Sequence, residues 1–385
     1  MALKCFTGFE AASYYEFTNA VTETGVTSQF STTSPHSGAY CWDVETPGGY
    51  VAGLADMTAY NADGSPGAAL NIATTWLSMY FKYSAKPTTG ESEQFVSGKR
   101  TNGVFNFGLR LNSDGKVEVY RRPTTTWILV ATSTTVLSAN VWHLLQFKQT
   151  KGTGGAYELL IDGVADLSGT ATWRNYNTDR ITFGPDGYSD DPVRFFFDDI
   201  AISDSELYAD QSVNSLLPVS VATNQWTGTY TDVDDIPSNE EDYISSALAS
   251  RSEVYYLADG VDSGIDEYAV IEGIQALFLA QQVDASAAEF TCLMKSGATT
   301  SSSSVANLAA DDFYAYTLLK EQNFDDSADW EMSDIAASTL RIGVAIAASP
   351  ILSEQRCCTM HAHVLWTPGE APPATDVQIG CHAGI

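Results

Sequence analysis

VWHLLQFKQTKGTGGAYELLIDGV, residues 141–164, is the stretch that decides the fold. Its first run places Val141, His143, Leu145 and Phe147 on one side of an extended chain and Trp142, Leu144 and Gln146 on the other. Apolar residues on both sides of a short run describe a strand held inside a packed sandwich. A Gly-rich link leads to a second run, AYELLI, and Asp162-Gly163 then supplies the tight turn expected between hairpin strands.

The same grammar extends outward in both directions. TWLSMYFKYSA (75–85), GVFNFGLRLNSDGKVEVYRR (103–122) and TWILVATST (126–134) alternate or run apolar, bounded by Gly, Asn, Asp and Pro. Asn112-Ser113-Asp114-Gly115 is a second hairpin signal. Many strands at short spacing with no helical period between them imply an all-β chain built from two-sheet sandwiches. With 385 residues and 44% hydrophobic content, the chain has enough material for more than one such core.

Charge narrows the function. A formal net charge of −29, with no basic stripe set against it, argues against nucleic-acid binding. MALKCFTGFEAASYYEF lacks the apolar centre of an export signal, and no run of about 18 apolar residues predicts a membrane span. Cys5, Cys41, Cys292, Cys357, Cys358 and Cys381 show no zinc-type pairing and no regular framework, so free thiols in a reducing cytosol are expected.

The expected organisation is a first β unit over 1–210, a linker at 211–224, a second and smaller β-sandwich over 225–367, and an extended Pro-rich tail at 368–385. In the second unit, EVYYLAD (253–259), 268–283, EFTCLMKSG (289–297), FYAYTLLK (313–320), TLRIGVAIA (339–347) and CCTMHAHVLW (357–366) are the strand candidates. SGATTSSSSVANLAADD (296–312) reads as a polar surface loop, and SDIAAST (333–339) as a short helix capped by Ser333. The run TDVDDIPSNEEDYISS (231–246) holds six carboxylates in eleven positions but no glycine where a calcium loop would turn. It reads as the solvated start of the second sandwich, with Asp234, Pro237 and Asn239 shaping a turn and Tyr243 beginning the first packed strand.

Four constellations bear on chemistry. TATWRNYNTD (170–179) presents Trp173, Asn175 and Tyr176 in a loop, where flat rings would stack on a sugar face and an amide would read its hydroxyls; a packed loop anchor is the plainer alternative. Trp42, Trp76 and Trp142 lie in strand-like runs and are expected in the core. Asp198 and Asp199 are the calcium candidates, to be completed from loops such as 186–191, against the alternative that they fix the closing strand by hydrogen bonds. Cys357, Thr359, His361 and His363 share one side of the last strand, which suits either a metal site lacking a fourth ligand or a face turned to solvent or another subunit. An E-x-D-x-E triplet and a G-x-S-x-G elbow are both absent, so no hydrolase motif is present.

Two resemblances complete the reading. GFE (8–10), SPHSGAYCWDV (34–44), VWHLLQFKQTKGTGGAYELLIDGV and FFFDDIAISD (195–204) resemble, in order and spacing, the concanavalin-like jelly rolls of the laminin-G and lectin/glucanase superfamily. The resemblance implies a jelly-roll sandwich, a glycan as a possible ligand, and calcium near the sheet edge in some relatives. QWTGTYTDVDDIPSNEEDYISS, SRSEVYYLADG, IQALFLAQQ and DWEMSDIAASTLRIGVAIA resemble a β-sandwich module of tailed-bacteriophage structural proteins. This implies a non-enzymatic protein of the virion exterior, tail-tip or fibre-associated or a head decoration. It would be assembled in host cytoplasm beside other virion proteins, as a homo-oligomer, without nucleic-acid or membrane partners. A polysaccharide depolymerase of the glucanase-like jelly-roll type is the alternative.

Overall fold

The computed structural model describes residues 3–10, 22–24, 27–46, 49–57, 59–60, 66–88, 90–184, 186–189, 192–206, 208–237, 239–283, 290–305, 308, 313–346 and 354–370. Among these no α-helix occurs; they form strands, turns and short 3-10 helices arranged as two sandwiches. The Pro-rich tail beyond residue 370, Cys381 within it, lies outside the described residues.

One sheet of the first sandwich runs β15 (Val164–Ala171), β14 (Gly155–Ile161), β13 (His143–Thr150), β8 (Thr74–Ala85), β18 (Val193–Ser203), β4 (Cys41–Thr46) and β3 (Thr27–Ser31), with β1 (Leu3–Thr7) also paired to β18. The facing sheet runs β12 (Ile128–Val136), β11 (Lys116–Arg121), β10 (Phe105–Asn112), β9 (Ser92–Lys99), β16 (Arg180–Phe183), β5 (Gly49–Met57) and β17 (Asp186–Ser189), with β2 (Thr22–Thr24) on β5. A two-stranded ribbon, β6 (Ala59–Tyr60) and β7 (Pro66–Ala68), stands apart.

Alternation along the strands fills the space between these sheets. Leu77, Met79, Phe81 and Tyr83 of β8 meet Phe95, Phe107, Leu109 and Phe147, and Phe81 and Phe95 stack with centroids 4.3 Å apart. Trp42 is wholly buried beside Phe197, as expected, whereas Trp142 lies outside the core and donates from Nε1 to Ser34 O at 2.9 Å. Strand β13 is buried on both sides: Leu145 and Phe147 face the core, and Gln146 on the other side donates to Tyr208 O at 2.8 Å. The Asp162-Gly163 turn takes positive φ at both residues (52° and 75°), the geometry that joins twisted strands in a two-residue hairpin.

The second sandwich has one sheet of β19 (Ser212–Leu216), β28 (Gln355–Thr367), β23 (Val270–Gln282) and β26 (Tyr314–Lys320), with β21 (Ile244–Ser246) on β28. The other runs β20 (Pro218–Thr223), β22 (Ser252–Leu257), β27 (Arg341–Ile346), β24 (Phe290–Ser296) and β25 (Thr299–Val305).

Several expectations are corrected here. Residues 211–224, expected as a linker, supply β19 and β20, one strand to each sheet of the second sandwich. The serine-rich stretch expected as a loop contains β25, paired along its length with β24, so it serves as a polar edge strand. The helix expected at 333–339 is a single 3-10 turn, Met332–Ile335, that begins at Glu331 rather than Ser333. The Glu331 backbone N–H there donates to Asp334 Oδ2 at 2.9 Å. In the acidic run, Asn239 forms the turn through Oδ1, which accepts Glu241 N–H at 3.1 Å, and Ile244 begins β21.

The two sandwiches share a small apolar cluster of Leu3, Phe6, Ala201, Tyr208, Val213 and Leu365. Gly8 is required at this seam, because a Cβ there would stand 2.7 Å from that of Val213.

Candidate functional site

The described side chains converge most clearly on the outer face of the sheet containing β9, β10 and β11. Leu109, Leu111, Val117 and Val119 point into the core, so the alternate residues Gly108, Arg110, Glu118 and Tyr120 point out. Register places Gly108 opposite Ser97 and Tyr120, and Arg110 opposite Gln94 and Glu118. The segment after β11 then folds back so that Trp127 lies over the strands. A Cβ added to Gly108 would meet the Trp127 ring and Gln94 Oε1, each at 3.0 Å. Glycine is therefore the floor on which the indole rests.

Around that floor, aromatic and cationic groups interleave. Phe105 and Trp127 meet edge to face with centroids 5.0 Å apart. The Arg110 guanidinium sits 4.5 Å from the Tyr120 centroid and 5.2 Å from that of Trp127. Arg122 is 4.7 Å from Phe105 and 5.5 Å from Trp127, and Lys99 Nζ lies 4.6 Å from Phe105. Among the described residues neither Arg110 nor Arg122 forms an ion pair. Gln94 is 3% exposed with both amide atoms unpartnered, and Arg110 Nε and Ser97 Oγ are also buried without partners. Unpartnered buried polar atoms beneath a partly open aromatic face are what a polar ligand would satisfy. Burial pulls the Arg110 guanidinium down from its ordinary range, opposed by Tyr120, Glu93 and Glu118, yet so strong a base stays charged.

The glycan-binding loop expected from the sequence frames this face. Trp173 is 3% exposed, belongs to the core, and donates from Nε1 to Gly155 O at 2.8 Å, so it is a packed anchor and not a stacking platform. Arg174 holds the 122–125 segment through Arg122 O (2.6 Å) and Thr124 O. Asn175 stands beside Gly152. Tyr176 is 42% exposed with Arg100 4.6 Å from its ring, and its carbonyl is near Asn106 Nδ2 (3.5 Å) at the rim of the same face. Of the three residues, Tyr176 alone presents a ring to solvent beside the site.

Asp198 and Asp199 are both wholly buried. Asp198 Oδ2 accepts His36 N–H at 2.7 Å and Oδ1 accepts Asp199 N–H at 2.9 Å. Asp199 Oδ1 accepts Ser37 Oγ–H at 2.6 Å and Val213 N–H at 2.7 Å, and its Oδ2 lies 2.6 Å from His36 Nδ1. A register shift between Asp198 and Ala201, with φ of 45° at Asp199, brings both carboxylates to the 34–37 loop where a regular strand would have split them. All four oxygens are thus engaged by protein donors. Burial first, then the neighbouring Asp199, push the Asp198 carboxyl well above its ordinary range. The 186–191 loop side chains proposed to complete a calcium site lie outside what is described. Among the described residues no group of three or more His, Cys, Asp or Glu side chains is placed to hold a metal.

The last strand also differs from expectation. A bulge opposite Leu279 and Ala280 turns Cys357 into the second core with Met360, Ala362 and Val364, while Cys358 joins a separate cluster with Leu277 and Phe313. The side carrying His361 and His363 is buried, not solvent-facing. Their Nε2 atoms are 3.2 Å apart, and His363 Nδ1 is 2.9 Å from Ser215 Oγ.

Residues 64–211 match a family model of laminin G type, described as the concanavalin A-like lectin/glucanases superfamily. The first sandwich is a concanavalin-like jelly roll. No curated protein matches the chain. Among solved structures, an endo-β-1,4-glucuronan lyase from the fungus Trichoderma reesei is similar at 13% identity, covering 48% of this chain and 90% of its own, with a TM-score of 0.38. A carbohydrate esterase from a Shiga toxin-encoding bacteriophage is similar at 14% identity, covering 51% and 96%, with a TM-score of 0.35. A carbohydrate-binding module from Bacillus subtilis is similar at 9% identity, covering 47% and 96%, with a TM-score of 0.29. The jelly-roll face was missed in the sequence because its residues are spread over three strands and one returning segment; the signal was the outward set Gly108, Arg110, Glu118 and Tyr120 in alternating runs.

Proposed function

We propose that the chain is a non-enzymatic structural protein on the exterior of a tailed-phage particle, whose jelly roll binds glycan through the face built on Gly108. The observation that carries glycan binding is the Phe105, Tyr120 and Trp127 group seated over the unpartnered amide of Gln94. Rings of this kind stack on the apolar face of a sugar while the amide reads hydroxyls. Placement on a virion, with other virion proteins and copies of itself as neighbours, is supported by the resemblance of the second sandwich to phage structural modules. Binding without turnover is supported by the state of Glu118, the carboxylate beside Arg110. It accepts Asn112 Nδ2–H at 3.1 Å and Tyr120 O–H at 3.0 Å, so it is committed to holding the face together.

Retention on immobilised host-surface glycans, with reducing ends assayed after incubation, tests this reading. Trp127→Ala is expected to weaken binding about tenfold, roughly 1.4 kcal/mol, while leaving the thermal midpoint near that of the parent. Gly108→Val should give a similar loss by lifting the indole and displacing Gln94, because the floor has no room for a side chain. New reducing ends released by purified protein would overturn the non-enzymatic reading in favour of a depolymerase. Unchanged retention in both variants would remove the face from the binding site.

A further inference from the structure

Resting on that reading, we propose that the glycan is an acidic polysaccharide, and that Arg110 and Arg122 seat its carboxylate or sulfate groups beside the stacked rings.

The argument starts from charge. The chain as a whole carries −29, and its general surface repels a polyanion. Residues 99–122 reverse this locally, with six Lys and Arg against two acids. Three of the six, Lys99, Arg110 and Arg122, surround Phe105 and Trp127, and of the two acids Glu118 shares the face, bonded to Tyr120 O–H. Three features separate this cluster from a chance basic patch. Arg110 and Arg122 form no ion pair among the described residues, so although Glu93 and Glu118 act on Arg110 from nearby, neither guanidinium fork is closed by a carboxylate. Ring faces hold the guanidinium planes, which fixes their forks without consuming all their N–H donors, and Arg110 Nε stays unpartnered. Gln94, 3% exposed with both amide atoms unpartnered, lies opposite Arg110 on the next strand and supplies a neutral polar contact next to the cation. A uronate or sulfated sugar offers this combination: an apolar ring face, hydroxyls, and an anionic group at the ring's edge. Bidentate pairing of a guanidinium with a carboxylate supplies the discrimination against neutral sugars. A nucleic-acid strand offers rings and anions too, but its closely spaced phosphates would meet the acidic remainder of the chain.

The test uses the full chain and matched polymers. Polygalacturonate, alginate and hyaluronate are compared with their carboxyl-reduced forms, and with a single-stranded oligonucleotide, by calorimetry or affinity electrophoresis. The acidic form of at least one polymer is expected to bind tenfold or more tightly than its reduced form, and to weaken about tenfold between 50 and 500 mM salt as screening grows. Arg122→Gln and Arg110→Gln should each remove most of the preference for the acidic form, while Arg110→Lys keeps part of it. A thermal midpoint within a few degrees of the parent shows that each variant is folded; Arg122→Gln, away from the buried row, carries the test if Arg110→Gln does not fold. Equal binding of acidic and reduced polymers overturns this inference and leaves glycan binding standing. Binding of none of them overturns both. Tighter binding of the oligonucleotide overturns the inference in favour of nucleic acid.

Discussion

Asp199→Ala is expected to destabilise the protein by about 3–5 kcal/mol, the cost of breaking a buried, hydrogen-bonded charge. At roughly 2–4 °C per kcal/mol for a sandwich of this size, the thermal midpoint should fall by about 10 °C. The carboxylate receives Ser37 Oγ–H and Val213 N–H and lies against the His36 ring, and alanine would leave the buried Val213 N–H without an acceptor and the half-buried His36 ring without its partner. Because φ at Asp199 is 45°, a Cβ without a compensating polar group adds strain. The order of variants follows from separating these causes. Asn tolerates the left-handed backbone and keeps an acceptor, so Asp199→Asn should cost about 1–2 kcal/mol. Gly relieves the backbone but loses the hydrogen bonds and should fall between Asn and Ala. Calcium addition should leave the parent midpoint unchanged, since the four oxygens of Asp198 and Asp199 already have donors. A calcium-dependent rise, lost in Asp199→Asn, would restore the metal reading; equal midpoints for all three variants would refute the clamp. Val213 belongs to β19 of the second sandwich, so the clamp also ties the jelly roll to its neighbour. Differential scanning calorimetry of Asp199→Ala should therefore show unfolding spread over a wider temperature range than in the parent, or split into two steps.

The all-β class and the strand runs were legible because alternation and turn residues are local signals. VWHLLQF and the Asp162-Gly163 turn describe a doubly buried strand and its hairpin from nearest-neighbour chemistry alone. What was not legible depends on contacts distant in sequence. Residues 211–224 look like a linker because their strands are short and polar, and only pairing with Leu365 and Tyr255 makes them part of a sheet. Asp198 and Asp199 looked separable because a regular strand alternates, and a bulge with positive φ, which no residue type announces, brings them together. Trp173 was selected for its loop context, but Gly155 O and Tyr157 turn it inward. The face built on Gly108 is not legible for a related reason: no segment of it is a motif, and Gly108 acquires meaning only beneath Trp127. Net charge misled in the same way, since −29 summed over the chain conceals a basic face gathered by one sheet.

The contribution of His361 and His363 to stability should fall with acidification. In an unfolded chain an imidazole takes up its proton near pH 6.5. Burial pushes His361 down to about 4, and His363 is pushed well below its ordinary value, first by burial and then by His361. Between those limits the unfolded state binds more protons than the folded one, so stability is complete above about pH 7.5 and is lost as pH falls, with nothing further lost below the folded value. For His361 alone, with a folded value of about 4, the loss between pH 7.5 and 5 is about 2 kcal/mol. A folded value lower than about 4 gives nearly the same figure at pH 5, because the unfolded chain's uptake dominates there. Buried carboxyls act in the opposite sense. Asp198, Glu253, Glu272 and Glu321 are raised, chiefly by burial, so they hold protons in the folded state that the unfolded chain releases, and mild acid favours folding through them. The parent's net slope mixes both, and the difference from a His361→Gln/His363→Gln variant isolates the imidazoles. Urea midpoints at pH 7.5, 6.5, 5.5 and 5.0 should converge between parent and variant as pH falls, by about 2 kcal/mol or more in all. Parallel curves would show that the pair does not titrate between the folded and unfolded states. The physical reason for expecting convergence is geometric: two rings with Nε2 atoms 3.2 Å apart cannot both charge in a buried face, and His361 Nδ1 has no partner to stabilise the cation.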